Sequence, residues 1–165
     1  MIYTVQTKKA LKLMFEMHKN QKDNAGMPYV FHPFHLAEQM STEEETIVAL
    51  LHDIIEDTQI TLEDIKEMGF DDNIIVSLSL LTHKNNEDYD TYIKRIATNK
   101  TATIVKIVDL KHNSDLTRLD YVTDYAYKRT KKYKKYLNYL ETVYAKEYAD
   151  CNNSSKNENV CNFFC

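Results

Sequence analysis

The 165-residue sequence has no tryptophan, only two glycines and two prolines, and no cysteine before position 151. So little turn chemistry, beside abundant Lys, Glu, Leu, Ile and Tyr, argues against short strands and for an all-α fold. No apolar run approaches the roughly 18 residues needed to span a bilayer, so no membrane partner is expected. The first residues, Met1 to Lys9, lack the uninterrupted apolar core of a signal peptide. Cys151, Cys161 and Cys165 all lie at the end of the chain. A disulfide scaffold would distribute them, so a reducing cytoplasm is expected. An excess of positive charge is missing too. The formal charge of -4 excludes a protein that coats nucleic acid, but not one that takes a small phosphorylated substrate. Residues 1–149 are expected to form one domain, followed by a polar tail over 150–165. That tail has no periodicity and is expected to be disordered.

The most informative stretch is residues 47–57. Ile47, Leu50, Leu51, Ile54 and Ile55 recur at the spacing of one helical face. Ala49, His52, Asp53, Glu56 and Asp57 repeat the spacing two residues later, about 200° away around the helix. The ordinary reading of such a polar stripe is a solvated face. This one holds three acids within two turns and no Lys or Arg, a repulsion that a divalent cation would remove.

The rest of the chain reads as further helices. Residues 5–19 form an amphipathic helix whose His18 is read as structural. Asn20 to Met27 is a loop. His32 precedes Pro33 and is expected to be extended, at the mouth of a helix running from Pro33 to about Met40. His35 on that helix can be a ligand or a core residue. Ser41 to Glu44 reads as a capping box that starts the helix carrying residues 47–57. Helices follow over 61–68, stopped by Gly69, over 72–82 and over 89–97. The β-branched run from Thr103 to Val108 is compatible with a strand, but its length favours a helix. On that helix Lys106, Asp109 and Asn113 share a face. Asp109 follows a run of Ile and Val, so it needs a partner, with Lys106 and Arg118 as candidates. A long helix over 125–148 carries Tyr133, Tyr136, Leu137, Leu140 and Tyr144 on one side. Its first half is crowded with Lys and Arg, either a solvated face or a wall that attracts phosphate.

Taken together as ligands, His32, His52, Asp53 and Asp109 make a borderline-to-hard site suited to Mn²⁺, Fe²⁺ or Zn²⁺. Such an ion acidifies water and polarises a phosphoryl oxygen. Glu56 and Asp57, one turn further on, are placed to orient or deprotonate that water. The chemistry is hydrolysis of a phosphate ester or anhydride.

The same residues resemble a known signature. His32, His52-Asp53 and Asp109 look like the H…HD…D pattern of the HD phosphohydrolase superfamily. The segments 26–33, 52–58, 81–82 and 105–113 resemble the hydrolase domain of RelA/SpoT proteins, over roughly residues 8–140. The chain looks most like the stand-alone small alarmone hydrolases. The resemblance implies an HD-domain helical bundle that removes the 3′-pyrophosphate of guanosine tetra- or pentaphosphate, with Mn²⁺ on His32, His52, Asp53 and Asp109. It also implies catalytic roles for Glu56 and Asp57 and nucleotide contacts from Asn113 and Tyr133. Lys22, Asn24 and Lys106 are further candidates for binding substrate. A synthetase domain, present in long members, has no room in this chain, so degradation alone is expected. One departure stands out: many members have a basic pair before the Gly-x-Pro-Tyr segment, where this chain has Asp23 and Asn24. Two alternatives follow, a phosphohydrolase acting on another nucleotide and a helical module that senses a nucleotide without cleaving it.

Overall fold

The computed structural model of the chain describes residues 1–148. The expected tail over 150–165, with its three cysteines, lies outside the described residues. The described residues are helical throughout, with one isolated β-bridge, Lys22 to Pro28, in place of any strand. The β-branched run after Thr103 is thereby resolved as helix.

Three helices build the centre: α1 (Val5–His18), α2 (Phe31–Glu38) and α3 (Glu43–Leu51). A four-residue helix α4 (Ile54–Asp57) follows, then α5 (Leu62–Glu67), α6 (Asp72–Leu81) and α7 (Tyr89–Ile96). Helix α8 (Lys100–Asn113) returns through the core, and a 3₁₀ turn over Leu116–Arg118 leads to the long α9 (Asp124–Glu147). With few Gly or Pro to punctuate them, the helices are started by polar caps. Thr4, Thr42, Thr61, Asp88, Asn99 and Thr123 each accept a backbone N–H of the first turn. Each such cap stabilises its helix by about 1 kcal/mol. Gly69 supplies the one left-handed residue that ends α5, at φ +78.

Helix α3 packs against α1, α2, α6 and α8. Ile47, Val48, Ala49, Leu50 and Leu51 are all buried, so the helix is enclosed on every side rather than on one face. Three expectations are corrected here. The capping box uses Thr42 and Glu45, one residue later than Ser41 and Glu44. The helix expected to run unbroken through residue 57 stops at Leu51 and restarts at Ile54. The polar stripe is therefore not one solvated face: Ala49 and His52 point into the interior, while Glu56 and Asp57 are exposed. Finally, His32 is not extended but is the second residue of α2, with Pro33 third. Proline is tolerated there because amides in the first turn have no partner within the helix.

Candidate active site

The break between α3 and α4 creates the site. His52 closes α3 and Asp53 opens α4. The turn between them brings two neighbouring side chains to one point, with His52 Nε2 2.8 Å from Asp53 Oδ2. His32 arrives from the first turn of α2, with Nε2 3.3 Å from His52 Nε2 and 3.8 Å from Asp53 Oδ2. Asp109 arrives from the buried side of α8, with Oδ1 3.3 Å from His32 Nε2 and 4.0 Å from His52 Nε2. Ligand atoms each about 2.1 Å from one ion lie about 3.0–3.4 Å apart at right or tetrahedral angles. The spacing observed here is close to that, and His32, His52 and Asp109 are all buried. The ligand atoms of His32, His52 and Asp109 all lie within 4.8 Å of one another, a donor set that fits a divalent cation, while Asp53 approaches the two imidazoles from beside this group of three.

Each of these side chains is held from behind. His52 Nδ1 donates to the carbonyl of Ala49 at 2.9 Å, which leaves Nε2 facing the cluster. The Nδ1 of His32 meets the Nδ1 of His112 at 2.7 Å. The Tyr29 hydroxyl donates to Asp53 Oδ2. Asp109 Oδ2 pairs with Lys106 Nζ at 2.7 Å, and its Oδ1 accepts from Asn113 Nδ2 at 2.5 Å. Tyr29 is itself packed between the rings of His18 and His32, at 5.1 and 5.5 Å. His18 is buried and bonded to Gln21 Oε1 at 2.7 Å, in keeping with a structural role.

The electrostatics follow from burial and charge. Burial opposes charge on His52, but Asp53 outweighs it and raises the imidazole to about 9. Burial also opposes ionisation of Asp53, and His52 outweighs it, lowering the carboxyl to about 2. Asp109 stays well below the usual carboxylate range despite burial, because Lys106 lies against it. His112 is pushed down to about 4 by burial and then by His32. It is therefore neutral near pH 7 and free to accept the His32 N–H.

Glu56 and Asp57 lie outside the cluster on α4. Glu56 Oε1 accepts the His83 N–H at 2.7 Å, which fixes one oxygen and leaves the other free. Partial burial and Asp53 raise Glu56 against the pull of that amide. Partial burial and Asp53 raise Asp57 as well. Carboxyls shifted upward beside a metal-type donor set are suited to moving protons.

A cleft of ≈ 180 Å³ opens beside the cluster, with His32 and Asp57 in its wall. Lys22, Asn24 and Asn113 also line it. Two other candidates lie elsewhere. Lys106 is spent on Asp109 and sits over the Tyr92 ring, 5.4 Å from its centroid. Tyr133 stacks on Tyr89 with centroids 6.3 Å apart and carries the Arg129 guanidinium, 5.9 Å from its own. His35 packs against His112 with its ring tilted, centroids 4.5 Å apart, outside the cluster. Sequence reasoning missed Tyr29 and His112, although both lie inside the segments that carried the resemblance. Arg118 was offered as a partner for Asp109 but pairs with Asp23 instead, and Arg129, one of the basic run on the last helix, lines the cleft.

No protein-family model matches the chain. It is 30% identical over 152 residues to a protein of Aquifex aeolicus named guanosine-3′,5′-bis(diphosphate) 3′-pyrophosphohydrolase, covering 85% of this chain and 20% of that one. A Spiroplasma citri protein of the same name is 29% identical over 122 residues, covering 66% of this chain and 16% of that one. A Brucella melitensis protein named GTP pyrophosphokinase rsh is 32% identical over 120 residues, covering 64% and 16%. The chain thus spans about a fifth or less of the length of these relatives. Its fold is similar to a solved structure described as a metazoan ortholog of SpoT that hydrolyzes ppGpp, with TM-score 0.65, 20% identity and 87% coverage of both chains. In sequence the chain is thus similar to a segment of RelA/SpoT-type proteins, and in fold to a SpoT ortholog.

Proposed function

We propose that this chain hydrolyses guanosine tetra- and pentaphosphate, releasing the 3′-pyrophosphate and leaving GDP or GTP. The observation that carries this reading is the convergence of His32 from α2, His52 and Asp53 from the α3–α4 turn and Asp109 from α8, with Glu56 and Asp57 beside them. The names of the Aquifex and Spiroplasma relatives, and the activity in the description of the SpoT ortholog, support the substrate.

His32, His52, Asp53 and Asp109 would hold the cation, for which we propose Mn²⁺. When bound, it supplies Lewis acidity toward a phosphoryl oxygen and toward water. Glu56 and Asp57 orient the attacking water and take its proton, at carboxyls raised above their usual range. The water oxygen adds to the phosphorus beside the ribose 3′-oxygen, and that phosphorus–oxygen bond breaks. The proton returns to the ribose oxygen from the same acidic pair. Asn113, Lys22 and Asn24 line the cleft that receives the nucleotide. Tyr133 and Lys106 act behind this wall, one by packing on Tyr89 and the other by neutralising Asp109.

We assign the HD domain to residues 1–149 and place the reaction in the cytoplasm, on a free nucleotide with neither nucleic acid nor membrane as partner. In support, no helix of the described residues is long and apolar enough to cross a membrane. A second reading, hydrolysis of another pyrophosphorylated nucleotide, is favoured by one feature: Asp23 and Asn24 stand in the cleft wall.

The test incubates purified protein with ppGpp and Mn²⁺ beside an Asp53→Ala control and quantifies pyrophosphate. Pyrophosphate and GDP are expected from the wild type alone. Equal release by both proteins would remove the cluster from the mechanism. Orthophosphate in place of pyrophosphate would replace the reaction with a different phosphohydrolase activity.

A further inference from the structure

The cleft wall contains a charge arrangement that cation binding does not require. Three cations line it, Lys22, Arg118 and Arg129, and so do three acids, Asp23, Asp57 and Asp115. Their formal charges cancel, an unusual balance for a cleft that receives a polyphosphate.

Asp23 is the residue that creates this balance. Its Oδ2 takes Arg118 Nη2 at 2.5 Å, across 95 positions of sequence. The other terminal nitrogen of Arg118, Nη1, donates to the His112 carbonyl at 3.1 Å. Both ends of the guanidinium are therefore engaged by the protein. The pair is mostly shielded, with the side chains 13% and 25% exposed for Asp23 and Arg118, so its charges are not dissipated by solvent. Meanwhile Asp23 Oδ1 accepts the amides of Ala25 and Met27, at 2.9 and 3.0 Å, and shapes the turn that ends at Gly26 with φ +79. One carboxylate thus does two separable things: one oxygen folds the loop, and the other neutralises a cleft cation.

Arg129 lines the same cleft with a different status. Its Nε is buried without a hydrogen-bond partner, and its guanidinium lies over the rings of Tyr125 and Tyr133. It and Lys22 are the cleft cations left to meet phosphate oxygens.

We propose that Asp23 is a specificity-determining residue, which by holding Arg118 keeps the cleft from favouring a nucleotide with a 5′-triphosphate over one with a 5′-diphosphate. This rests on the pyrophosphohydrolase reading, in which the 3′-pyrophosphate meets the cluster and the 5′-phosphates extend into the cleft. In a neutral cleft a third phosphate gains no attraction. Removing the Asp23 charge frees a cation for it, through a charge-assisted hydrogen bond.

Asp23→Asn isolates the effect, since the amide keeps an oxygen for Ala25 and Met27 but loses the charge facing Arg118. Binding of GDP and of GTP to the Mn²⁺-loaded protein is measured by calorimetry, beside KM for ppGpp and pppGpp. The variant is expected to bind GTP about tenfold more tightly and GDP by clearly less, with KM for pppGpp falling to match. Adding Arg118→Gln abolishes the gain, and Arg118→Gln alone shifts the GTP-to-GDP preference the other way. The proposal is overturned by equal changes for both nucleotides, by no change, by weakened binding of both, by a gain that survives in the double variant, or by a wild type that binds neither. A wild type that binds both but releases no pyrophosphate refutes the hydrolase reading instead, while GDP and GTP still report the charge of the cleft.

Discussion

The imidazoles of His32 and His112 meet nitrogen to nitrogen, Nδ1 to Nδ1, at 2.7 Å, with their rings stacked at 4.9 Å. The Nε2 of His32 faces His52 and Asp109, so Nδ1 must carry the proton if Nε2 is to offer a lone pair to a cation. His112 accepts that proton's hydrogen bond and thereby sets the tautomer. Its own ring is backed by His35 at 4.5 Å. Replacing His112 with Ala is expected to weaken Mn²⁺ binding about 10- to 100-fold, read by calorimetric titration. Unchanged affinity would mean that packing alone orients His32.

Lys106 and Asp109 form a buried pair one turn apart on α8. Lys106→Met leaves the Asp109 carboxylate with the two imidazoles and the Asn113 amide. The expected cost is about 3 kcal/mol in urea unfolding, because a buried charge loses its main compensation. Mn²⁺ should restore part of that stability, since the ion supplies the missing positive charge.

Glu56 is held by the His83 N–H and is not one of the four proposed ligands. Glu56→Gln is expected to lower kcat about 10²-fold or more while Mn²⁺ affinity stays as in the wild type. A parallel loss of affinity would move Glu56 into the cation site itself.

Arg95 ties the end of α6 to the loop before α7. It donates to the carbonyls of Ser79, Leu80 and Thr82 and pairs with Glu87 at 2.7 Å. The hydrogen bond from Arg95 holds the Glu87 carboxyl down at about 2, against 4.5 ordinarily. A carboxyl lowered on folding contributes stability above its unfolded value and loses it as pH falls through its folded value. Glu87→Gln should therefore be less stable than the wild type at pH 7, and the gap should close between pH 4.5 and about 2. Chemical denaturation at several pH values checks this, and a gap that widened in acid would contradict it.

Much of this molecule is written locally. Helix positions follow from apolar spacing, as with Ile74, Leu78 and Leu81 on α6, and helix starts follow from Thr, Asp and Asn caps. The four cluster residues were singled out by their resemblance to the H…HD…D pattern rather than by spacing, because a polar stripe opposite an apolar one is ordinarily a solvated face. The break at His52–Asp53 was not legible, since Ile54 and Ile55 continue the helical spacing across it.

From its sequence alone this protein was determined to be helical, because helicity depends on neighbours three or four positions apart, within reach of periodicity and capping. Only the tertiary structure decided that His112 backs His32, that Tyr29 holds Asp53, and that Arg118 is taken by Asp23 across 95 positions. Contacts between remote segments are set by how whole helices pack, and packing leaves no signature in the spacing of any one of them.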